Sequence, residues 1–200
     1  MKVLREIFSW VIPIAIGLLL ALLLKNYVLS PVKVDGPSMQ PNLENNQRVW
    51  IFNQAKVKHL SVIVFDAHGE DPSAKPGTDY VKRVIGLPGD TVSYKNGTIY
   101  VNNKKIKQNF ISESERTSGT TDGSGHSSWN LKTLSKRFKW GNGSVTVPKG
   151  KYFVLGDHRS VSNDSRYWGF VDKDKIAGVV KVPVWSSTKT KRANVNSLGY

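Results

Sequence analysis

Ser38 and Lys82 stand in contexts that could make a nucleophile and its base. Ser38 lies in Gly36-Pro37-Ser38-Met39-Gln40-Pro41-Asn42-Leu43, where glycine and proline on either side make the backbone bend. A bend lifts the hydroxyl out of an extended chain and frees the Ser38 N–H to face a bound carbonyl. A serine nucleophile with half an oxyanion hole needs both. Serine between glycine and proline is more often only a turn residue, so the reading depends on a base. Lys82 lies in Tyr80-Val81-Lys82-Arg83-Val84-Ile85, an apolar run of strand length. Side chains alternate along a strand, so Tyr80, Lys82 and Val84 share one face and Val81, Arg83 and Ile85 the other. An ammonium between an aromatic ring and a valine loses water, which lowers its pKa, and a neutral lysine beside a serine hydroxyl can take its proton. The competing reading is a lysine snorkelling from a strand edge.

A third stretch is dense in polar groups. Gly156-Asp157-His158-Arg159-Ser160-Val161-Ser162-Asn163-Asp164-Ser165-Arg166 follows an apolar strand and precedes Tyr167-Trp168-Gly169-Phe170. Ser162 is placed to orient Lys82, and Asp164 to pair with Arg83 or Arg166. A plain hydrogen-bonded loop would carry the same residues.

These groups need a frame. Residues 1–6 contain Lys2 and Arg5, and an uncharged run follows from Ile7 to Leu24. Eighteen helical residues span about 27 Å, enough for a thin bilayer. Pro13 and Gly17 are tolerated in a membrane helix, and Trp10 and Tyr27 sit where interfacial aromatics belong. No small-x-small site follows the run, so an uncleaved anchor over 7–27 is expected rather than a secretory leader. With no second span in view, the simplest topology keeps residues 1–6 in the cytoplasm and 28–200 on the outer face of the cell membrane.

From residue 28 the pattern is short β segments separated by turns. Val49–Phe52, Val62–Phe65, Tyr80–Ile85, Val92–Tyr94, Ile99–Val101, Tyr152–Leu155 and Val179–Val182 are strand-length runs, and Asn96-Gly97 marks a hairpin. Helical periodicity is nearly absent beyond the anchor, so the outer domain reads as mainly β. The polar stretch 112–128 reads as a flexible insertion, and the residues from Lys189 on as a frayed tail.

Composition narrows the chemistry. With no cysteine, a thiolate nucleophile, a disulfide framework and a cysteine metal site are all excluded. No His/Asp/Glu spacing resembles a metal ligand set, and nothing calls for a cofactor. A formal net charge of +14 asks for a polyanion nearby, such as an anionic membrane surface. The lysines are spread along the chain and no nucleic-acid motif is present, so no nucleic-acid partner is expected.

Ser38-Met39-x-Pro41, Tyr80 to Asp90, and Gly156-Asp157-x-Arg159 through Asp164-Ser165-Arg166 resemble the motif boxes of type I signal peptidases. They occur in that family's order behind an N-terminal anchor. The resemblance implies a mainly β Ser/Lys endopeptidase held on the membrane by one transmembrane helix. It would remove signal peptides from exported preproteins after small-x-small sites, near the secretion translocase. It implies Ser38 as nucleophile, Lys82 as general base, Ser162 as the serine that hydrogen-bonds the lysine, and Asp164, Arg83 and Arg166 as structural support. Val34, Met39, Tyr80 and Val81 flank the pair and are candidate walls of the substrate pockets. The chain departs from the family at four positions. Gly36 stands where some members carry a second oxyanion donor, Asn42 where threonine is common, His158 where asparagine is usual, and Ser61 where aspartate often precedes the strand.

Three rival readings remain. A self-cleaving regulator of the related Ser/Lys fold would be cytoplasmic, against the apolar run. A Ser-His-Asp hydrolase would need His59, His68, His126 or His158, none in a recognisable context. A membrane-anchored binding module leaves Ser38, Lys82 and Ser162 without a purpose.

Overall fold

Apolar residues alternating along short runs need a sheet partner on each side, and the chain provides it in two antiparallel sheets. In this computed structural model the backbone is described for residues 2–27 and 29–199. The side chains of residues 1–6, 8, 23–29, 142 and 200 lie outside the description. The strands are β1 (Leu29–Lys33), β2 (Arg48–Phe52), β3 (Val62–Asp66), β4 (Asp79–Gly86), β5 (Val92–Lys95), β6 (Thr98–Val101), β7 (Lys104–Lys105), β8 (Ser128–Asn130), β9 (Lys151–Leu155), β10 (Val171–Asp172) and β11 (Ile176–Lys181). Seven form one sheet in the order β1-β2-β11-β3-β4-β9-β10, and four form a second in the order β7-β6-β5-β8. Asn96 and Gly97, both at positive φ, make the expected hairpin between β5 and β6.

β4 runs through the interior of the larger sheet. Lys82 lies opposite Ile63 on β3, and Arg83 lies between Val62 on β3 and Leu155 on β9. Lys82 is therefore not on a strand edge, which removes the snorkelling reading. On one side, Val34, Met39, Leu43, Val62, Val81 and Val180 pack together and seat the turn that carries Ser38. Elsewhere Ile85, Tyr94, Ile99, Trp129, Phe153 and Leu155 join the smaller sheet to β4 and β9. The fold is mainly β, as expected.

The N-terminal segment forms helix α1 (Lys2–Tyr27), with Pro13 inside it. Its described side chains, residue 7 and residues 9–22, are exposed. That described apolar stretch is shorter than the ~20 residues a span requires. Among the described residues no helix is long and apolar enough to cross a membrane. The side chains of the N-terminus 1–6 and of part of the expected anchor, 8 and 23–27, lie outside the description.

Helix is more abundant than the periodicity predicts. α2 (Leu131–Phe138) starts at a capping box between Asn130 and Thr133, and α3 (Ser165–Trp168) is one turn capped by Asp164. α4 (Lys189–Asn196), capped by Thr188, replaces the expected frayed tail. Eight residues or fewer are too short for a hydrophobic period to register. α4 is polar except for Val195, which is 1% exposed and packs into the cluster beneath Ser38. The polar stretch 112–128 is likewise tied down in its middle. Thr120 is fully buried, and the carbonyls of Gly119 and Thr121 accept hydrogen bonds from Arg166 at 2.8 and 3.0 Å.

Candidate active site

The turn around Ser38 is closed by its own backbone. Gln40 N–H donates to Pro37 O at 3.0 Å, and the N–H groups of Asn42 and Leu43 both donate to Met39 O. Buried Met39 and Leu43 pin the turn from below and leave Ser38 half-buried above. Gly36 takes φ +85°, a conformation that favours glycine and turns the chain out of β1.

Lys82 Nζ lies 2.9 Å from Ser38 Oγ, to which it donates a hydrogen bond. The lysine is 4% exposed, and its ammonium sits 5.0 Å from the centre of the Tyr80 ring. Burial lowers its pKa from 10.5 to about 8; Asp164, Asp71 and Asp157 oppose that shift and Arg166 assists it. A substantial fraction of Lys82 is therefore neutral at mildly alkaline pH, as a general base must be.

The stretch 156–166 folds over this pair. His158 N–H donates to Ser38 O at 3.0 Å. Gly156 permits that approach, because a Cβ there would come within 3.0 Å of Ser162 Oγ, Ser162 Cβ and Ser38 O. The hydrogen bond expected between Ser162 and Lys82 is not formed. Ser162 Oγ is buried against Gly156 and has no hydrogen-bond partner among the described residues.

Asp164 pairs with Arg166, not Arg83. Its carboxylate accepts from Arg166 Nε at 2.9 Å and from Gly156 N–H at 3.0 Å. Burial acts to raise the Asp164 pKa, but Arg166 and these hydrogen bonds hold it below the usual carboxylate value. Arg166 also donates to Arg159 O at 2.6 Å, so it laces the loop together. Arg83 forms a fork with Asp157, with Nε and Nη2 each 2.7 Å from a carboxylate oxygen. Its Nη1 donates to Leu60 O and Asn194 O, both at 2.9 Å, and its guanidinium stacks 4.1 Å from the Phe110 ring centre.

Five residues with no role assigned from sequence hold this frame. Asp157 neutralises Arg83. Asn194, from α4, donates to Asn42 Oδ1 at 2.8 Å, and Asn42 donates to Asp157 and Phe110 O at 2.8 and 2.7 Å. Arg83, Asp157, Asn42 and Asn194 thus close a ring behind the Ser38 turn. Arg159 is fully buried without a carboxylate partner; its Nη1 donates to Gln108 and Thr120 and its Nε to Gly156 O. Asp71 accepts from Tyr80 OH. Of these, Asp157 and Arg159 carried a signal as members of the Gly156-Asp157-x-Arg159 motif, and Asn42 as a departure where threonine is common.

The expected pocket walls divide. Val34, Met39 and Val81 lie in one buried cluster, whereas half-buried Tyr80 packs edge-on against Phe65. Val34 and Met39 are each 1% exposed and present little surface, while Val81 at 8% presents more. Among the described residues no histidine ring hydrogen-bonds Ser38. His158 instead points its Nε2 toward Glu115 at 3.9 Å.

A model of the family described as signal peptidase, peptidase S26, matches residues 7–185. The chain belongs to this signal peptidase family. Signal peptidase IB of Staphylococcus aureus (strain COL) is 35% identical over 197 residues, covering 94% of this chain and 94% of that protein. Signal peptidase I of Bacillus licheniformis is 34% identical over 179 residues, covering 87% and 86%. A crystal structure of a signal peptidase I from Enterococcus faecalis V583 is 34% identical and covers 62% of this chain and 97% of that one, with a TM-score of 0.49. Membership gives the enzyme class implied by the motif boxes, a serine peptidase of the type I signal peptidases. The matched span contains Ser38, Lys82, Ser162 and Asp164 but ends before α4, so Asn194 lies beyond it.

Proposed function

We propose that this signal peptidase cleaves preproteins with Ser38 as nucleophile and Lys82 as general base. The observation that carries the reading is the 2.9 Å contact between Lys82 Nζ and Ser38 Oγ, made by a lysine whose pKa is lowered to about 8. Neutral Nζ has a lone pair and accepts the Ser38 proton along this line as Oγ attacks the scissile carbonyl carbon. The Ser38 N–H, which donates to nothing within the described protein, faces the developing oxyanion. The protonated Lys82 then gives its proton to the leaving amine, and the neutral amine next activates the water that releases the acyl chain from Ser38. Gly36 offers no side-chain donor, so the oxyanion depends on the backbone.

The uncharged run 7–24 within α1 acts in this reading as a single membrane anchor, with residues 1–6 inside and residues 28–200 on the outer face. Anchoring holds the site on the surface where preproteins arrive, near the translocase, and raises its effective concentration toward them. Small side chains at the first and third positions before the cut suit the shallow surface left by Val81 and Tyr80, with Val34 and Met39 packed beneath.

The test is incubation of the detergent-solubilised chain with a preprotein bearing an Ala-x-Ala site, with product masses measured. Cleavage after the second alanine, abolished by Ser38→Ala, is expected. Cleavage that survives Ser38→Ala in a preparation free of host peptidase overturns the nucleophile.

A further inference from the structure

Asp71 is a buried carboxylate, 3% exposed, with no lysine, arginine or histidine in ion-pair contact among the described residues. Burying a charge without a cation is costly unless hydrogen bonds replace its water. Asp71 has four. Oδ1 accepts from Ser73 N–H and Ser73 Oγ at 2.8 and 2.7 Å, which close its own turn. Oδ2 accepts from Tyr80 OH at 2.9 Å and Asn163 Nδ2 at 2.6 Å, and these two bonds tie it to β4 and to the 156–166 loop. Tyr80 is the residue whose ring covers the Lys82 ammonium, and Asn163 lies between Ser162 and Asp164.

We propose that Asp71 is a positioning residue for the Ser38–Lys82 pair, clamping the Tyr80 ring over Lys82 and the 156–166 loop beside it through one carboxylate oxygen. The inference rests on the reading of Lys82 as base. Ser162 makes no hydrogen bond to the lysine, so the Tyr80 ring and Ser38 Oγ are the described groups that confine Nζ directly. A tyrosine ring on a strand swings about its side-chain torsions unless its far end is held, and Asp71 holds it while Phe65 packs its side at 6.1 Å. The clamp persists at the alkaline pH where Lys82 is neutral. Burial acts to raise the Asp71 pKa, but the bonds from Ser73, Tyr80 and Asn163 outweigh it and keep the carboxylate ionised. Burial, with the Asp71 bond, also raises the Tyr80 pKa, so the phenol keeps the proton it donates. The charged groups acting on Lys82 are Asp164, Arg166, Asp71 and Asp157, and of the three carboxylates Asp71 alone is without a basic partner.

The experiment uses the full chain in detergent and one peptide with a small-x-small site. Asp71→Ala should lower kcat about tenfold with a smaller change in KM, since the base is misplaced while Tyr80 is one wall of the substrate surface among several. Tyr80→Phe keeps the ring but loses the clamped hydroxyl and should show a loss of the same kind. The double variant should be no worse than Asp71→Ala, because both break one clamp. Asp71→Asn keeps an acceptor and loses a charge that favours the ammonium, so its alkaline activity limb should move to lower pH. Wild-type kcat in Asp71→Ala, losses that add with Tyr80→Phe, or an unmoved limb in Asp71→Asn overturns the proposal. Should Asp71→Ala not fold, Tyr80→Phe and Asn163→Ala decide it, since a clamp predicts a selective loss of kcat in each and an inert hydrogen bond predicts none. An active Lys82→Arg enzyme would remove the Ser/Lys reading itself, a result separate from any Asp71 outcome.

Discussion

The carbonyl oxygen of Ser38 accepts a hydrogen bond from the backbone N–H of His158 at 3.0 Å, so the proposed nucleophile's own peptide is fastened to the loop 120 residues further on. His158 serves here through its backbone, and any residue other than proline supplies that donor. The departure from asparagine at this position therefore leaves the fastening intact.

Gly156 sets how closely that loop can lie. Gly156→Ala should lower kcat by about a hundredfold, because displacing Ser38 by even about 1 Å spoils its line to Lys82. The added Cβ would overlap Ser162 and Ser38 O, and either neighbour must shift. Circular dichroism should show a folded domain, and the hydrolysis rate of a reference peptide measures the loss. A fully active Gly156→Ala enzyme would show that the loop is free to retreat.

The rate of cleavage should follow the Lys82 amine. With its pKa at about 8, kcat/KM rises steeply below that pH and levels above it. Lys82→Arg stays protonated throughout and should be inactive at every pH. A pH profile flat from about 6 to 10 would remove lysine as the base.

The same lysine should destabilise the fold. Its folded pKa is about 8 against 10.5 unfolded, so below about pH 8 the cost of burying the charge is fully present, and it disappears as pH rises toward 10.5. A shift of that size corresponds to about 3 kcal/mol. Lys82→Met should therefore unfold at higher denaturant concentration than the wild type at pH 7, with the advantage shrinking between about pH 8 and 10.5. Equilibrium urea unfolding at several pH values measures it.

Removing members of the ring behind Ser38 should have unequal effects. Asp157→Ala strands the buried Arg83 charge and should cost about 3–5 kcal/mol. Asn194→Ala removes one half-buried neutral donor and leaves the buried Asn42 Oδ1 unpaired, which should cost about 1–3 kcal/mol. Thermal unfolding of the two variants under the same conditions tests the order.

The sequence points to the proposed reacting pair but not to the frame around it. Ser38 is visible because glycine and proline dictate its bend locally, and Lys82 because a cation interrupts an apolar strand. Arg83 and Asn194 are 111 residues apart, and no local periodicity marks a hydrogen bond between them. α4 hides for a related reason, since only Val195 distinguishes it from a polar tail. The polar stretch and the motif resemblance both suggest a Ser162–Lys82 bond, and here Ser162 turns to Gly156 instead. Asp164 could be assigned to a basic partner but not to a particular one, because Arg83 and Arg166 are equivalent as charges and differ only in where the sheet places them.

The ring of Arg83, Asp157, Asn42 and Asn194 also imposes an order in time. Ser38 and Lys82 are synthesised early, whereas Asn194, which adds bonds to Asn42 and Arg83, is made long afterwards. A chain halted before residue 194 would carry Ser38 and Lys82 but lack these two bonds to the frame behind them.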